Sequence, residues 1–207
     1  RPVADFYCDC GSQFELKSKH SADGSIGKKV SDGEYHTMIS RITSLDNPNF
    51  FFLAYDSETV NNLFMVPNHF FVPSVIEKRN PLAATARRAG WEGCNILIND
   101  IPDSGKLFIV KNCLEVDRNK VIDDYRRLEG LQTSNLDSRG WMMDVMACVD
   151  KIGNTDFTLD EMYAFEPILQ KKYPQNYHIK DKIRQQLQFL RDKGFVRFTA
   201  RGHYQKI

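Results

Sequence analysis

The sequence predicts an α/β (α+β) core built on a mixed sheet, followed by a C-terminal winged helix, and three observations carry that expectation. Nearly continuous apolar runs, NFFFLAY from residue 49 and LFMV from residue 63, read as strands buried in the middle of a sheet. Tyr35, Met38, Ile39 and Ile42 recur at helical spacing, so an amphipathic helix packs on that sheet. Near Ser138 the pattern changes to three amphipathic helices followed by two short strands about Ala200-Arg201-Gly202, which makes a winged helix. The first domain is therefore placed at 1–135 and the second at 136–207.

A chain of 207 residues, 42% hydrophobic and 27% charged, suits one or two domains with a sizeable core. No apolar run reaches the length of a membrane span, and no signal peptide is visible, so no membrane partner is expected. The chain starts at Arg1 directly before an expected strand, which suggests that an N-terminal part is missing. Its five cysteines are odd in number and sparse, arguing for a reducing compartment. Net charge is only +1, yet residues 168–207 hold ten Lys/Arg against two Asp/Glu, leaving the remainder near −7. A basic tail on an acidic body points to a polyanion, the competing reading being a solvated helix face.

The first seventeen residues read as two short strands around a turn at Cys8-Asp9-Cys10-Gly11, Val3 and Phe6 belonging to the first. Period-two alternation places Glu15 and Lys17 on one face of the second, and hairpin pairing brings Asp5 beside them. Two close carboxylates repel unless a cation lies between them. Mg²⁺ suits such a set, with the main-chain carbonyl of Leu16 as a further oxygen, and a neighbouring lysine can orient water for phosphodiester hydrolysis. Alternating charges on a solvated hairpin are also common, so the pattern alone leaves both readings open. Cys8 and Cys10 resemble half of a structural zinc site, though one residue separates them where two are usual.

Residues 18–32 read as a polar loop, with Asp32 capping the helix that Asn47-Pro48 ends. Between 77 and 93 the Pro and Gly content implies loop or short helix. Arg87, Arg88 and Trp91 lie close together there, able either to hold phosphate and stack a base or to anchor a core. Strands follow at 94–98 and 106–111, then a helix capped by Asp117 and running to about Leu128. In the second domain one helix carries Trp141, Val145, Cys148, Val149 and Ile152, and another begins after Thr158. The third runs from His178 to about Lys193; its Ile179, Ile183, Leu187 and Leu190 stripe turns Asp181, Arg184, Gln185 and Gln188 outward. That helix would enter a major groove, with Lys180, Arg184 and Gln185 at the DNA and Arg201 and His203 on the wing, unless the module docks protein instead.

The stretches RPVADFYC, FELKSK, DNPNFFFL, PLAATARRAGWEGCNI, LDSRGW, FTLDEMY and HIKDKIRQQLQFLRDKGF are spread along nearly the whole chain. Through them the sequence resembles the DpnI-like methylation-dependent type II restriction endonucleases, which join a PD-(D/E)XK nuclease domain to a winged helix. The resemblance implies that Asp5, Glu15 and Lys17 form a Mg²⁺-dependent catalytic set and that the segment ending at Trp91 approaches DNA. It further implies a monomer in the bacterial cytoplasm that cuts double-stranded DNA at GATC carrying N6-methyladenine, sensed by both domains. Relatives bear an upstream cysteine pair and a second pair spaced CxxC; here the spacing is Cys8-Asp9-Cys10, which bears on any zinc and on the hairpin register. The alternatives are a non-catalytic methyl-DNA-binding regulator with a degenerate nuclease fold, or a nuclease directed at RNA or at DNA structure.

Overall fold

A computed structural model describes residues 4–207; Val3, expected in the first strand, lies outside the described residues. The chain divides into two compact units, one reaching Ile101 and adding Gly105–Leu136, the other joining Pro102–Ser104 to Asp137–Ile207.

The first unit is built on a six-stranded mixed sheet. Its strands are β1 (Phe6–Tyr7), β2 (Gln13–His20), β4 (Asn49–Asp56), β5 (Thr59–Val66), β8 (Leu107–Lys111) and β9 (Leu114–Glu115), lying in that order across the sheet. Only β2 and β4 run parallel; every other neighbouring pair is antiparallel. The aromatic run in β4 explains its central place, because Phe50, Phe52 and Ala54 are buried on one face, while Phe51 on the other stacks on Phe14 at 5.3 Å. Phe64 of β5 extends the buried row, its ring 5.3 Å from that of Phe52.

A second sheet, antiparallel, is made from β3 (Lys29–Glu34), β7 (Gly93–Leu97) and β6 (Ile76–Lys78), with β7 in the middle. This corrects the reading of 18–32 as one loop: β2 continues to His20, and residues from Lys29 onward pair with β7. Helix α1 (Tyr35–Ser44) lies against this smaller sheet and buries Met38 and Ile42. Its cap is Glu34, whose carboxylate accepts from the backbone N–H groups of His36 and Thr37. Asp32 is therefore not the cap; strand pairing with β7 holds it two residues upstream of the helix cap. Helix α2 (Arg118–Glu129), capped by Asp117 as expected, packs on β8.

The second unit contains α3 (Leu136–Lys151), α4 (Leu159–Tyr163), α5 (Glu166–Lys172) and α6 (Ile179–Asp192), with β10 (Asp156–Thr158), β11 (Val196–Ala200) and β12 (His203–Lys206). It is a winged helix, and β11 and β12 form the wing. Two details differ from the expectation. The stretch after Thr158 is two helices, since Pro167 suits the first turn of a helix but lacks the N–H needed further in. A third strand, β10, also pairs with β12. Trp141 and Ile179, Ile183, Leu187 and Leu190 fill the core as expected, and the Trp141 indole stacks on Tyr173 at 3.8 Å. Among the described residues no helix is long and apolar enough to cross a membrane.

Candidate active site and nucleic-acid surfaces

The β1–β2 hairpin determines which side chains can meet. Phe6 pairs with Phe14 and Tyr7 with Gln13, and the Asp5 N–H donates to the Phe14 carbonyl at 2.9 Å. Asp5, just before β1, is thereby held beside β2, close enough for its charge to act on Glu15. The turn closes through the Cys8 N–H to the Ser12 carbonyl and the Gly11 N–H to the Cys8 carbonyl, each 2.9 Å. Gly11, at φ +88°, supplies the left-handed residue that this turn requires. The one-residue spacing between the cysteines falls within this turn, beyond which Phe6 and Tyr7 pair with β2.

Asp5 is exposed, and its Oδ2 accepts from the Leu16 N–H at 2.9 Å, which fixes the carboxylate against the Leu16 peptide. Glu15 and Lys17 share their sheet face with the buried Phe50 and Phe52, because parallel pairing sets them beside those residues. They are consequently half-buried, unlike an alternating pair on a solvated hairpin. The Lys17 ammonium donates to Glu15 and, at 2.6 Å, to Oδ1 of Asp32 on β3, and it lies 5.8 Å from the Phe50 ring centroid. Asp32 is the residue that sequence reasoning missed at this site. Its side chain is only 9% exposed, so it reaches Lys17 in a poorly hydrated setting.

The electrostatics follow from this crowding. Burial raises the Glu15 pKa above the ordinary carboxylate value; Lys17 opposes the rise, and the charges of Asp32 and Asp5 add to it. Burial alone would lower that of Lys17, but the Asp32 charge and the hydrogen bonds to Asp32 and Glu15 outweigh it, so the ammonium is held above its usual range. Burial likewise pushes the Cys94 thiol, paired opposite Asp32, up to about 12. Two carboxylates, Glu15 and Asp32, thus hold one ammonium.

Hard carboxylate oxygens with excess negative charge suit Mg²⁺ chemically, and Asp5 and Glu15 are the candidates to hold such an ion. Among the described residues no three His, Cys, Asp or Glu side chains are already gathered as a metal cage. Cys8 and Cys10 are exposed free thiols, the latter donating to the Ser12 hydroxyl at 3.2 Å. They offer two of the four ligands that a structural zinc needs. A polar cavity of about 230 Å³ opens at the hairpin turn, lined by Ser12, Gln13, Asn47, Asn68 and Tyr125. It excludes Asp5, Glu15 and Lys17, so the charged cluster lies on the sheet and not in the cavity.

The expected DNA contacts fall in both units. Residues 82–91 close into a loop through the Leu82 N–H to the Trp91 carbonyl and the Gly90 N–H to the Leu82 carbonyl, both 3.0 Å. Arg87 and Arg88 are exposed on it; the Arg88 guanidinium lies 4.6 Å from the centroid of the half-buried Trp91 ring. On α6, Lys180, Arg184 and Gln185 are exposed, as are Arg201 and His203 on the wing. Part of the helix charge is internally matched: Arg184 pairs with Asp181, and Lys180 lies 3.4 Å from Glu166.

A family model described as DpnI, the Dam-replacing family, matches residues 1–134. A second, described as the Dam-replacing HTH domain, matches residues 137–206. The matches cover both units, and they support a nuclease of the methylation-dependent restriction type with DNA as its partner. The chain therefore belongs to the DpnI, or Dam-replacing, family.

Proposed function

We propose that the protein is a Mg²⁺-dependent type II endonuclease, acting as a monomer, that hydrolyses double-stranded DNA at GATC sites carrying N6-methyladenine. The observation that supports this reading is the β1–β2 hairpin, where Asp5 is bonded to the Leu16 N–H, its charge acts on Glu15, and Glu15 accepts from Lys17. Asp5, Glu15 and the Leu16 carbonyl would hold the ion. When bound, Mg²⁺ supplies stabilisation of the negative charge that builds on the phosphoryl oxygens and acidifies water. Lys17 offers an N–H to the attacking water or to the scissile phosphate, adding positive charge where the transition state gains negative charge. As the water oxygen bonds to phosphorus it gives up a proton to solvent, and the opposite P–O bond breaks, its oxygen leaving with the neighbouring deoxyribose and taking a proton from solvent.

Recognition is assigned to two surfaces. Arg87, Arg88 and Trp91 meet DNA from the nuclease unit, while Lys180, Arg184 and Gln185 read the major groove and Arg201 and His203 contact phosphate. A methyl group buries apolar surface worth only about 1 kcal/mol. Reading it twice multiplies two modest discriminations.

Incubation with Mg²⁺ of plasmid bearing or lacking adenine methylation at GATC tests the reading. Fragments from the methylated plasmid alone, lost on chelation, are expected. Cleavage of both plasmids would instead indicate a nuclease indifferent to the methyl group. The engagement of Lys17 by both Glu15 and Asp32 favours a second reading, a methyl-DNA-binding regulator that does not cut. Methylation-dependent binding without nicking would select it.

A further inference from the structure

The candidate site has a member outside the hairpin. Asp32 comes from a different sheet, its strand pairing with β7 so that Asp32 lies opposite Cys94, with a register shift between Asp32 and Glu34. Its Oδ1 accepts from Lys17 Nζ at 2.6 Å and from the Gly33 N–H at 2.8 Å. The second bond fixes the carboxylate on its own backbone. The first carries that order across to β2.

Glu15 has two claims upon it. It accepts from Lys17, and it is one of the two side chains assigned to a metal ion under the proposed function, on which this inference rests. A carboxylate turned toward a divalent ion gives up much of its hold on a neighbouring ammonium. Lys17 is half-buried over the Phe50 ring, where an ammonium without an anionic partner is poorly solvated and its flexible stem unrestrained. Asp32 remains as its partner.

We infer that Asp32 is a positioning residue for DNA cleavage: it holds the Lys17 ammonium in place beside the reacting phosphate while Glu15 is committed to the metal. Asp32 does not touch substrate or metal in this role. Its effect therefore falls on turnover, and neither on metal affinity nor on DNA affinity.

Asp32→Ala and Asp32→Asn, measured beside wild type on fully methylated plasmid, test this. Loss of an orienting partner of this kind typically lowers activity about 10–100-fold. Asp32→Ala is expected to lower kcat by that factor with KM unchanged. Asp32→Asn keeps an acceptor for Lys17 and Gly33 without the charge, and its kcat should fall between the two. Calorimetric titration of Mg²⁺ into the DNA-free proteins should give wild-type affinity for both variants. Should Asp32→Ala fail to fold, as judged by thermal unfolding, Asp32→Asn decides. Unchanged kcat in the variants beside an active wild type overturns the inference and leaves the nuclease reading standing. Weakened Mg²⁺ binding with kcat restored by excess metal overturns it too, making Asp32 a ligand. A wild-type protein that cuts nothing refutes the nuclease reading itself and this role with it.

Discussion

Lys17 shows how one side chain can be pulled two ways. Its β2 position beside Phe50 and Phe52 takes it partly out of water, which disfavours the ammonium, yet Asp32 and Glu15 restore and exceed what burial removes. Lys17→Ala is expected to lower cleavage by at least about 10²-fold, as loss of a transition-state donor does elsewhere. Its affinity for methylated DNA should stay at the wild-type value, read by fluorescence anisotropy with the metal left out. Glu34 offers a cleaner titration. The Thr37 hydroxyl and the Thr37 and His36 N–H groups hold its pKa at about 2, against an ordinary 4.5. A carboxylate depressed in this way stabilises the fold fully above pH 4.5, and the contribution disappears as pH falls toward 2. Glu34→Gln should therefore melt below wild type at neutral pH, and the gap in Tm should close on acidification between those values.

Elements explain why some of these residues were visible in the sequence and one was not. Glu15 and Lys17 are two apart on one strand, so alternation alone sets them on a common face, and a short turn brings Asp5 alongside. Asp32 meets Lys17 only because β3 leaves β2 for a different sheet and pairs with β7, a partner roughly sixty residues further on. Local pattern offered Asp32 as the helix cap; that distant pairing keeps it in β3 and leaves the cap to Glu34. The buried β4 aromatics, by contrast, announced themselves as an unbroken apolar run. Phe52→Ala should cost about 3–5 kcal/mol by urea unfolding, since Phe52 is fully buried and its ring packs beside Phe50 and Phe64. The break between α4 and α5 was less visible because amphipathic spacing runs through it, although Pro167 marked the place. Gly93 carries another long-range constraint: a Cβ there would lie 2.8 Å from the Trp91 ring. Gly93→Ala should displace that ring and weaken DNA binding through the 82–91 loop.

Across the whole molecule, charge and fold divide along the same line. The basic excess of residues 168–207 falls in the winged-helix unit, while the candidate catalytic carboxylates fall in the other. Removing residues 137–207 should weaken DNA binding and flatten its dependence on salt. Each phosphate that the shortened protein no longer neutralises reduces the slope of log K against log salt by about 0.9. An unchanged slope would show that α6 and the wing leave phosphate alone. The asymmetry of the hairpin also matters at this scale. β2 is tied to β4 from Phe14 to His20, whereas β1 is a two-residue strand with β2 as its one neighbour among the described residues. Glu15 and Lys17 thus ride on a strand paired on both sides, while Asp5, just before β1, sits at the rim and is held through bonds to β2. Fraying of that rim needs far less free energy than global melting, so gentle heating should silence the protein while its circular dichroism is still that of the native fold.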